Sequence, residues 1–240
     1  MQAVEECIVL HSLKYGENSM VVKCLTKSGL KSFFVKSVLA KNKNKYPFLA
    51  YPLAITDCHY IMGRAGSLPL VKQLSLSYVS KSTGYDFRRQ AISTFMAELS
   101  LKYIREESMS SDIYNYLRKN IVFLDSSPLI AASFPVKFAF GLAALLGFDT
   151  GIVDEKGVCE IQFSLEKGLS TDNSPQAVLK GEDALNLLAI IKCPENELSE
   201  LNLASQSVNR IFQAMILYFR YHFPESGSMR SPEILHELMH

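Results

Sequence analysis

The sequence predicts an α+β chain in which a small N-terminal β-barrel precedes an α-helical bundle. Three observations predict it. Over the first eighty residues, short β-branched and aromatic segments alternate with turn-formers. From Tyr85 onward, apolar residues recur at three- and four-residue steps. Charge changes with the period: residues 1–85 hold eleven Lys and Arg against four acids, a net +7, whereas residues 86–240 hold fourteen against twenty, a net −6.

The strands read in order as Cys7–His11, Met20–Thr26, Leu30–Val35, Leu53–Tyr60 and Leu70–Leu76. Their separators are Tyr15-Gly16-Glu17-Asn18, Lys27-Ser28-Gly29 and a lysine loop, Lys41-Asn42-Lys43-Asn44-Lys45. Five short strands with no helical period among them fit a closed barrel of the OB type over residues 1–80, because closure removes sticky sheet edges. Alternation along the third strand sets Phe33 and Val35 on one face and Phe34 and Lys36 on the other.

Phe87, Ile92, Phe95, Met96, Leu99 and Tyr103 define a first amphipathic helix ending near Glu107. Further helices are predicted at Ile113–Leu124, Pro135–Leu146, Gly181–Ile191, Leu203–His222 and near Glu233–Met239. Glu182 or Asp183, and Ser231-Pro232-Glu233, serve as start signals. The helical module is expected over residues 85–240. A small hairpin lies within the turn-rich stretch 149–175, Val158–Phe163 with Glu166–Leu169.

The longest nearly uncharged apolar run, Phe138–Phe148, is eleven residues, short of the roughly 18–20 that cross a bilayer. The first ten residues carry two glutamates where a signal peptide would carry lysines. A cytoplasmic chain is expected. Cys7, Cys24, Cys58, Cys159 and Cys193 form no C-x-x-C pair, so reduced and mostly buried thiols are expected rather than disulfides or a zinc ribbon.

Catalytic signatures are sparse. His236-Glu237-Leu238-Met239-His240 matches H-E-x-x-H, which on a helix places two imidazoles on one face for zinc and a glutamate as base. His240 is the last residue of the sequence, where helices fray and no third ligand follows. There is no G-x-S-x-G elbow. Gly63-Arg64-Ala65-Gly66 lacks the lysine of a phosphate loop, and His11 and His59 have no partner at ligand spacing. No catalytic residue, metal or cofactor is expected; the competing reading is a zinc hydrolase built on His236 and His240.

The basic front points to a polyanion. Between Glu17 and Asp57 there is no acid and there are seven lysines. A basic groove with aromatic rings is how a barrel of this type holds single strands, each stacked base contributing about 1–3 kcal/mol. Candidate contacts are Lys31, Lys36, Lys41, Lys43, Lys45 and Arg64, with Phe34 and Tyr46 as stacking rings. No base-reading signature accompanies them, so binding without marked sequence preference is expected. A barrel that contacts only proteins is a further alternative.

The order of features also resembles a known family. A strand ending Val9-Leu10-His11, then Tyr15-Gly16-Glu17-Asn18-Ser19, Leu25-Thr26-Lys27-Ser28-Gly29-Leu30, the lysine loop and Pro52-Leu53 resemble the N-terminal domain of the RecO recombination mediators. Leu145-Leu146-Gly147-Phe148, Phe219-Arg220-Tyr221-His222 and Met229-Arg230-Ser231-Pro232-Glu233-Ile234-Leu235 are similar to that family's helical half. The resemblance implies an OB-fold followed by helices, binding of single- and double-stranded DNA, and annealing of complementary strands. It also implies cooperation with RecR to load RecA onto strands covered by single-strand-binding protein, without nucleotide hydrolysis. Many members carry a four-cysteine zinc module where Gly151–Thr171 here has only Cys159, so zinc is not expected. Many also have Lys-Gly-x-Arg where this chain reads Lys36-Ser37-Val38-Leu39. Partner proteins are expected on the acidic helical half, with Arg118, Lys119, Arg210 or Arg220 as the cation beside an apolar groove that receives an acidic tail.

Overall fold

The computed structural model describes residues 2–40, 43–63, 66–84, 86–105, 111–148, 150–151, 161–171 and 174–239. The chain divides into two compact units, Met1–Asp125 and Ser126–His240.

In the first unit, β1 (Gln2–Tyr15), β2 (Ser19–Thr26) and β3 (Gly29–Val35) form a meander. They are followed by a two-residue pair, β4 (Leu39–Ala40) with β5 (Lys43–Asn44), and by β6 (Ile55–Ile61) and β7 (Leu70–Leu76). The barrel closes in the order β1-β2-β3-β7-β6. Its neighbours are antiparallel except β3 and β7, which meet in parallel at Phe34 and Leu70. The α+β class and the five-stranded barrel expected from sequence are thus borne out.

Two local expectations change. The first strand runs well beyond Cys7–His11 and carries Glu5 and Glu6 within it, because both carboxylates find partners there. The lysine loop is a hairpin rather than an open loop, with Leu39 opposite Asn44 and Ala40 opposite Lys43. Its root is tied down: the Val38 amide donates to the Asn18 carbonyl at 2.7 Å and the Lys45 amide to the Val38 carbonyl at 2.8 Å.

Alternate residues fill the barrel. Cys7, Val9, Val22, Cys24, Phe33, Val35, Cys58 and Leu74 are buried in one cluster, and the Phe33 and Tyr60 rings meet edge-on at 5.0 Å. Each such side chain withdrawn from water contributes roughly 1.5–3 kcal/mol. Cys7, Cys24, Cys58 and Cys193 carry no disulfide; Cys159 lies outside the described residues. Gly29, at φ 107°, makes the tight turn into β3 that a side chain would strain.

Helices α1 (Phe87–Tyr103) and α2 (Ser111–Ser126) complete this unit. Asp86 caps α1, accepting from the amides of Arg88 at 2.9 Å and Arg89 at 3.3 Å. The helix stops short of Glu107, since Ile104 turns extended and is buried. Asp125, near the end of α2, gathers the segment leading out of the barrel. It accepts from the hydroxyls of Tyr78 (2.8 Å), Ser80 (2.6 Å) and Thr83 (3.0 Å) and from the amides of Lys81 (2.8 Å), Ser82 (2.9 Å) and Thr83 (2.9 Å).

The second unit holds α3 (Phe134–Leu145), β8 (Gln162–Ser164), β9 (Gly168–Ser170), β10 (Ala177–Lys180), α4 (Glu182–Lys192), α5 (Ser205–His222) and α6 (Ser231–Met239). The expected hairpin is a three-stranded sheet in the order β10-β8-β9. Its third strand, following Pro175, is too short for its alternation to stand out in sequence; Val158–Glu160 lie outside the described residues. Gly151 is required, because a side chain there would collide with the Leu169 backbone. Phe140, Phe163 and Tyr218 meet ring to ring at 5.5–5.7 Å in the core. Among the described residues no helix is long and apolar enough to cross a membrane.

Candidate nucleic-acid interface

Register builds an outer face from four barrel strands. Leu13 of β1 stands opposite Val21 of β2, Val21 opposite Phe34 of β3, and Phe34 beside Leu70 of β7. Directly paired residues share a face, so these side chains form one apolar row across the outside of the barrel. Tyr15 extends it: its ring, 62% exposed, meets Phe34 edge-on at 5.6 Å.

Cations flank this row on both sides. One step along the same face, two residues on, lie Lys36 beyond β3 and Lys72 on β7, both exposed. Because β2 runs opposite to β3, Lys23 falls on the other side of the row, paired with the exposed His11. Lys45, at the root of the hairpin, is exposed, with its ammonium 5.0 Å from the centre of the Tyr46 ring. An aromatic strip edged by ammonium groups offers stacking surface and phosphate neutralisation together.

Two expected contacts have internal partners. Lys31 is inside a network: its ammonium donates to both Glu5 oxygens, at 2.9 and 2.7 Å, and Ser28 and Tyr60 donate to the same carboxylate. Burial works against the charge on Glu5, but Lys31 and Ser28 outweigh it and hold the carboxyl below its usual value. Lys31 is therefore a structural cation. Tyr46 is 6% exposed and belongs to the barrel cluster, so its ring supports Lys45 rather than a base. Lys41 and Arg64 lie outside the described residues, as does the Lys43 side chain; the Lys43 backbone is in β5. Tyr15, Lys23 and Lys72 were missed in the sequence. Tyr15 reads there as the start of a turn, and only the pairing register aligns it with Phe34.

The expected partner cations separate. Arg118 and Lys119 lie on α2 of the first unit, Arg210 and Arg220 on α5 of the second. Arg118 is engaged: it donates to Glu6 at 2.9 Å, and the Tyr114 hydroxyl donates to the same oxygen, fastening α2 to β1. Burial opposes the charge on Glu6, while Tyr114 and Arg118 prevail and keep its carboxyl below the ordinary value. Lys119 and Arg220 are exposed. Arg210 donates to Asp183 at 2.5 and 2.9 Å. Asp183 also accepts from Ser207 at 2.6 Å, so it ties α5 to α4 rather than capping α4. Arg210 and Lys180 stand beside Val178, Ala214 and Leu217 in a groove of about 290 Å³ between β10 and α5.

No group of three or more His, Cys, Asp or Glu that could hold a metal ion occurs among the described residues. His240 and the His236 side chain lie outside them.

A closed OB-type barrel with a basic, aromatic outer face, followed by helices, defines a class of barrel-and-helix proteins. Residues 1–79 match the family described as Recombination protein O N terminal. Along nearly its whole length the chain is similar to proteins named DNA repair protein RecO. It is 27% identical to that of Bacteroides fragilis over 235 residues, covering 96% of each chain. It is 26% identical to that of Christiangramia forsetii over 238 residues, covering 97% of each. It is 25% identical to that of Flavobacterium psychrophilum over 240 residues, covering 99% of each. The RecO resemblance read from the sequence is borne out from barrel to final helix. None of these names carries a catalytic activity.

Proposed function

We propose that this chain is a non-enzymatic DNA repair and recombination mediator. It binds single- and double-stranded DNA without marked sequence preference and anneals complementary strands. With RecR, it helps load RecA onto DNA covered by single-strand-binding protein. The work would be done in the bacterial cytoplasm, at the nucleoid. The observation that carries the reading is the outer barrel face, where Tyr15 and Phe34 lie between lysines on either side.

The mechanism is electrostatic. Lys23, Lys36, Lys45 and Lys72 neutralise phosphates and release counterions, with the lysine hairpin adding Lys41 and Lys43. Two strands held on such a surface repel each other less, so complementary sequences pair without nucleotide hydrolysis. Exposed rings hold bases by stacking, which every base supports and which confers no sequence code. For the partner proteins, the groove between β10 and α5 has an apolar floor of Val178, Ala214 and Leu217 with Lys180 as the cation at its edge, Arg210 being paired with Asp183 there, which suits an acidic tail with apolar residues.

The test is a titration of labelled single strands at about 50 and 200 mM salt. Replacing Lys41, Lys43 and Lys45 with alanine should weaken binding and reduce the salt slope by up to about three charges' worth. Unchanged affinity and slope would remove the hairpin from the interface. The metallohydrolase alternative requires stoichiometric zinc in the purified protein, and a barrel that contacts only proteins requires no binding even in low salt.

A further inference from the structure

Within the first unit, a cleft of about 400 Å³ opens beside the barrel. It is walled by the rings of Phe48, Tyr51 and Tyr78 and floored by Gln90, Ser93 and Thr94 of α1. None of these residues lies in the outer-face row. We infer that this cleft receives a nucleobase turned out of a DNA strand held on the barrel, an inference that rests on the DNA-binding reading above.

The cleft's chemistry selects that occupant. No Lys, Arg or His lines it, so it does not suit a phosphate. Its acid, Asp125, has both oxygens taken by the segment from Tyr78 to Thr83, so the cleft does not call for a cation either. What remains is neutral and mostly apolar: rings and aliphatic side chains, Leu53, Ile55, Leu76, Val79 and Ile121 among them, with the Gln90 amide and the Ser93 and Thr94 hydroxyls as the polar groups an occupant can pair. The Gln90 amide nitrogen is held by the Gly84 carbonyl at 2.9 Å, and its side-chain oxygen is an acceptor. The Thr94 hydroxyl donates to the Gln90 carbonyl at 2.8 Å and retains acceptor capacity. An aliphatic side chain would cover these groups without pairing them; the edge of a base pairs them while its face meets the rings. Tyr51, 58% exposed, stands where a ring can close over the occupant. Position agrees with chemistry: Phe48 touches Tyr46 at 5.8 Å, and Tyr46 carries the Lys45 ammonium. A cation for the backbone phosphate thus stands two side chains from a slot for the base.

The experiment compares a single strand with an abasic strand of the same length, both labelled, binding to the full chain. Thr94→Phe fills the cleft and Tyr51→Ala removes a wall, each from an exposed position. The native chain should prefer the base-bearing strand by about tenfold or more. Both variants should lose part of that preference while keeping their affinity for the abasic strand, whereas Lys45→Ala should weaken both strands alike. A full preference in both variants would overturn the inference, placing base contacts on the outer face alone. Equal affinities in the native chain would overturn it too, leaving the cleft to an apolar side chain of a protein. Occupation by free thymidine with no loss of strand preference in Thr94→Phe would make it a nucleoside site instead. Binding of neither strand in low salt would overturn the DNA-binding reading itself.

Discussion

The outer face of the barrel and the seam between the barrel and α2 use the same kinds of residue in opposite ways. On the outer face, Lys36 and Lys72 project into solvent beside the Tyr15 and Phe34 rings, and Lys45 is exposed at the root of the hairpin. At the seam, Glu6 takes Arg118 and Tyr114, and Asp125 takes a ring of hydroxyls and amides. Glu5 and Glu6, two of the four acids in the first 85 residues, are held in internal pairs. A lysine's contribution to a binding surface thus depends on whether the strand register delivers a carboxylate to it. Lys31 receives one and becomes structural, while Lys36, five residues on, lies on the outer face.

The sharpest way to break this division is at Asp125. Asp125→Ala removes the charged acceptor shared by three hydroxyls and three amides, and a stability loss of roughly 3 kcal/mol is expected in denaturant unfolding, since hydrogen bonds to a charged group contribute about 1.5–3 kcal/mol each. A neutral result would mean the segment from Tyr78 to Thr83 needs no anchor. The same pairs set the response to acid. Burial opposes the charge on Asp125, but the Ser80 hydroxyl and the Thr83, Lys81 and Ser82 amides hold its carboxyl far below the usual range. Glu5 and Glu6 are lowered as well. Because all three return to ordinary values of about 4 on unfolding, their stabilisation is fully present above that pH and is lost progressively as the pH falls from there toward their lower folded-state values. Asp125→Ala should therefore lose less stability than the native chain on acidification below about pH 4; parallel curves would contradict the assignment.

Smaller effects sharpen the contrast between seam and face. Glu6→Gln removes the charge that orients Arg118 and Tyr114, and a loss of about 1–2 kcal/mol is expected with DNA affinity preserved. A fall in affinity as large as that from removing Lys36 would place α2 in the interface. Tyr15→Ala and Tyr46→Ala then separate the two aromatic roles. The first should cost affinity with stability changed by about 0.5 kcal/mol or less, as for surface positions generally. The second should cost about 3 kcal/mol of stability, as for other buried rings. Reversal of that order in melting and titration would exchange their roles.

Much of the fold was legible because each barrel strand is short, apolar on alternate residues and bounded by turn-formers. Leu70–Leu76 is a strand over the range read from sequence, and Phe33 and Phe34 fall on opposite faces as alternation requires. The site was less legible. Alternation assigns a residue to a face but leaves open which strand stands beside it, so the capture of Lys31 by Glu5, twenty-six residues away, was hidden. Tyr46 looks like a loop aromatic beside lysines, yet the pinned root of the hairpin carries it into the barrel cluster. β10 was hidden for a different reason, since four residues show too little period to distinguish strand from turn.

The most direct measurement is lysine footprinting: acylation of the chain with and without a bound single strand, read residue by residue by mass spectrometry. Lys23, Lys36, Lys45 and Lys72 should become protected, while Lys31 should react slowly in both states and Lys167, Lys180 and Lys192 of the second unit should not change. Protection confined to the second unit, with the barrel lysines equally reactive in both states, would contradict a DNA path along the outer face of the barrel.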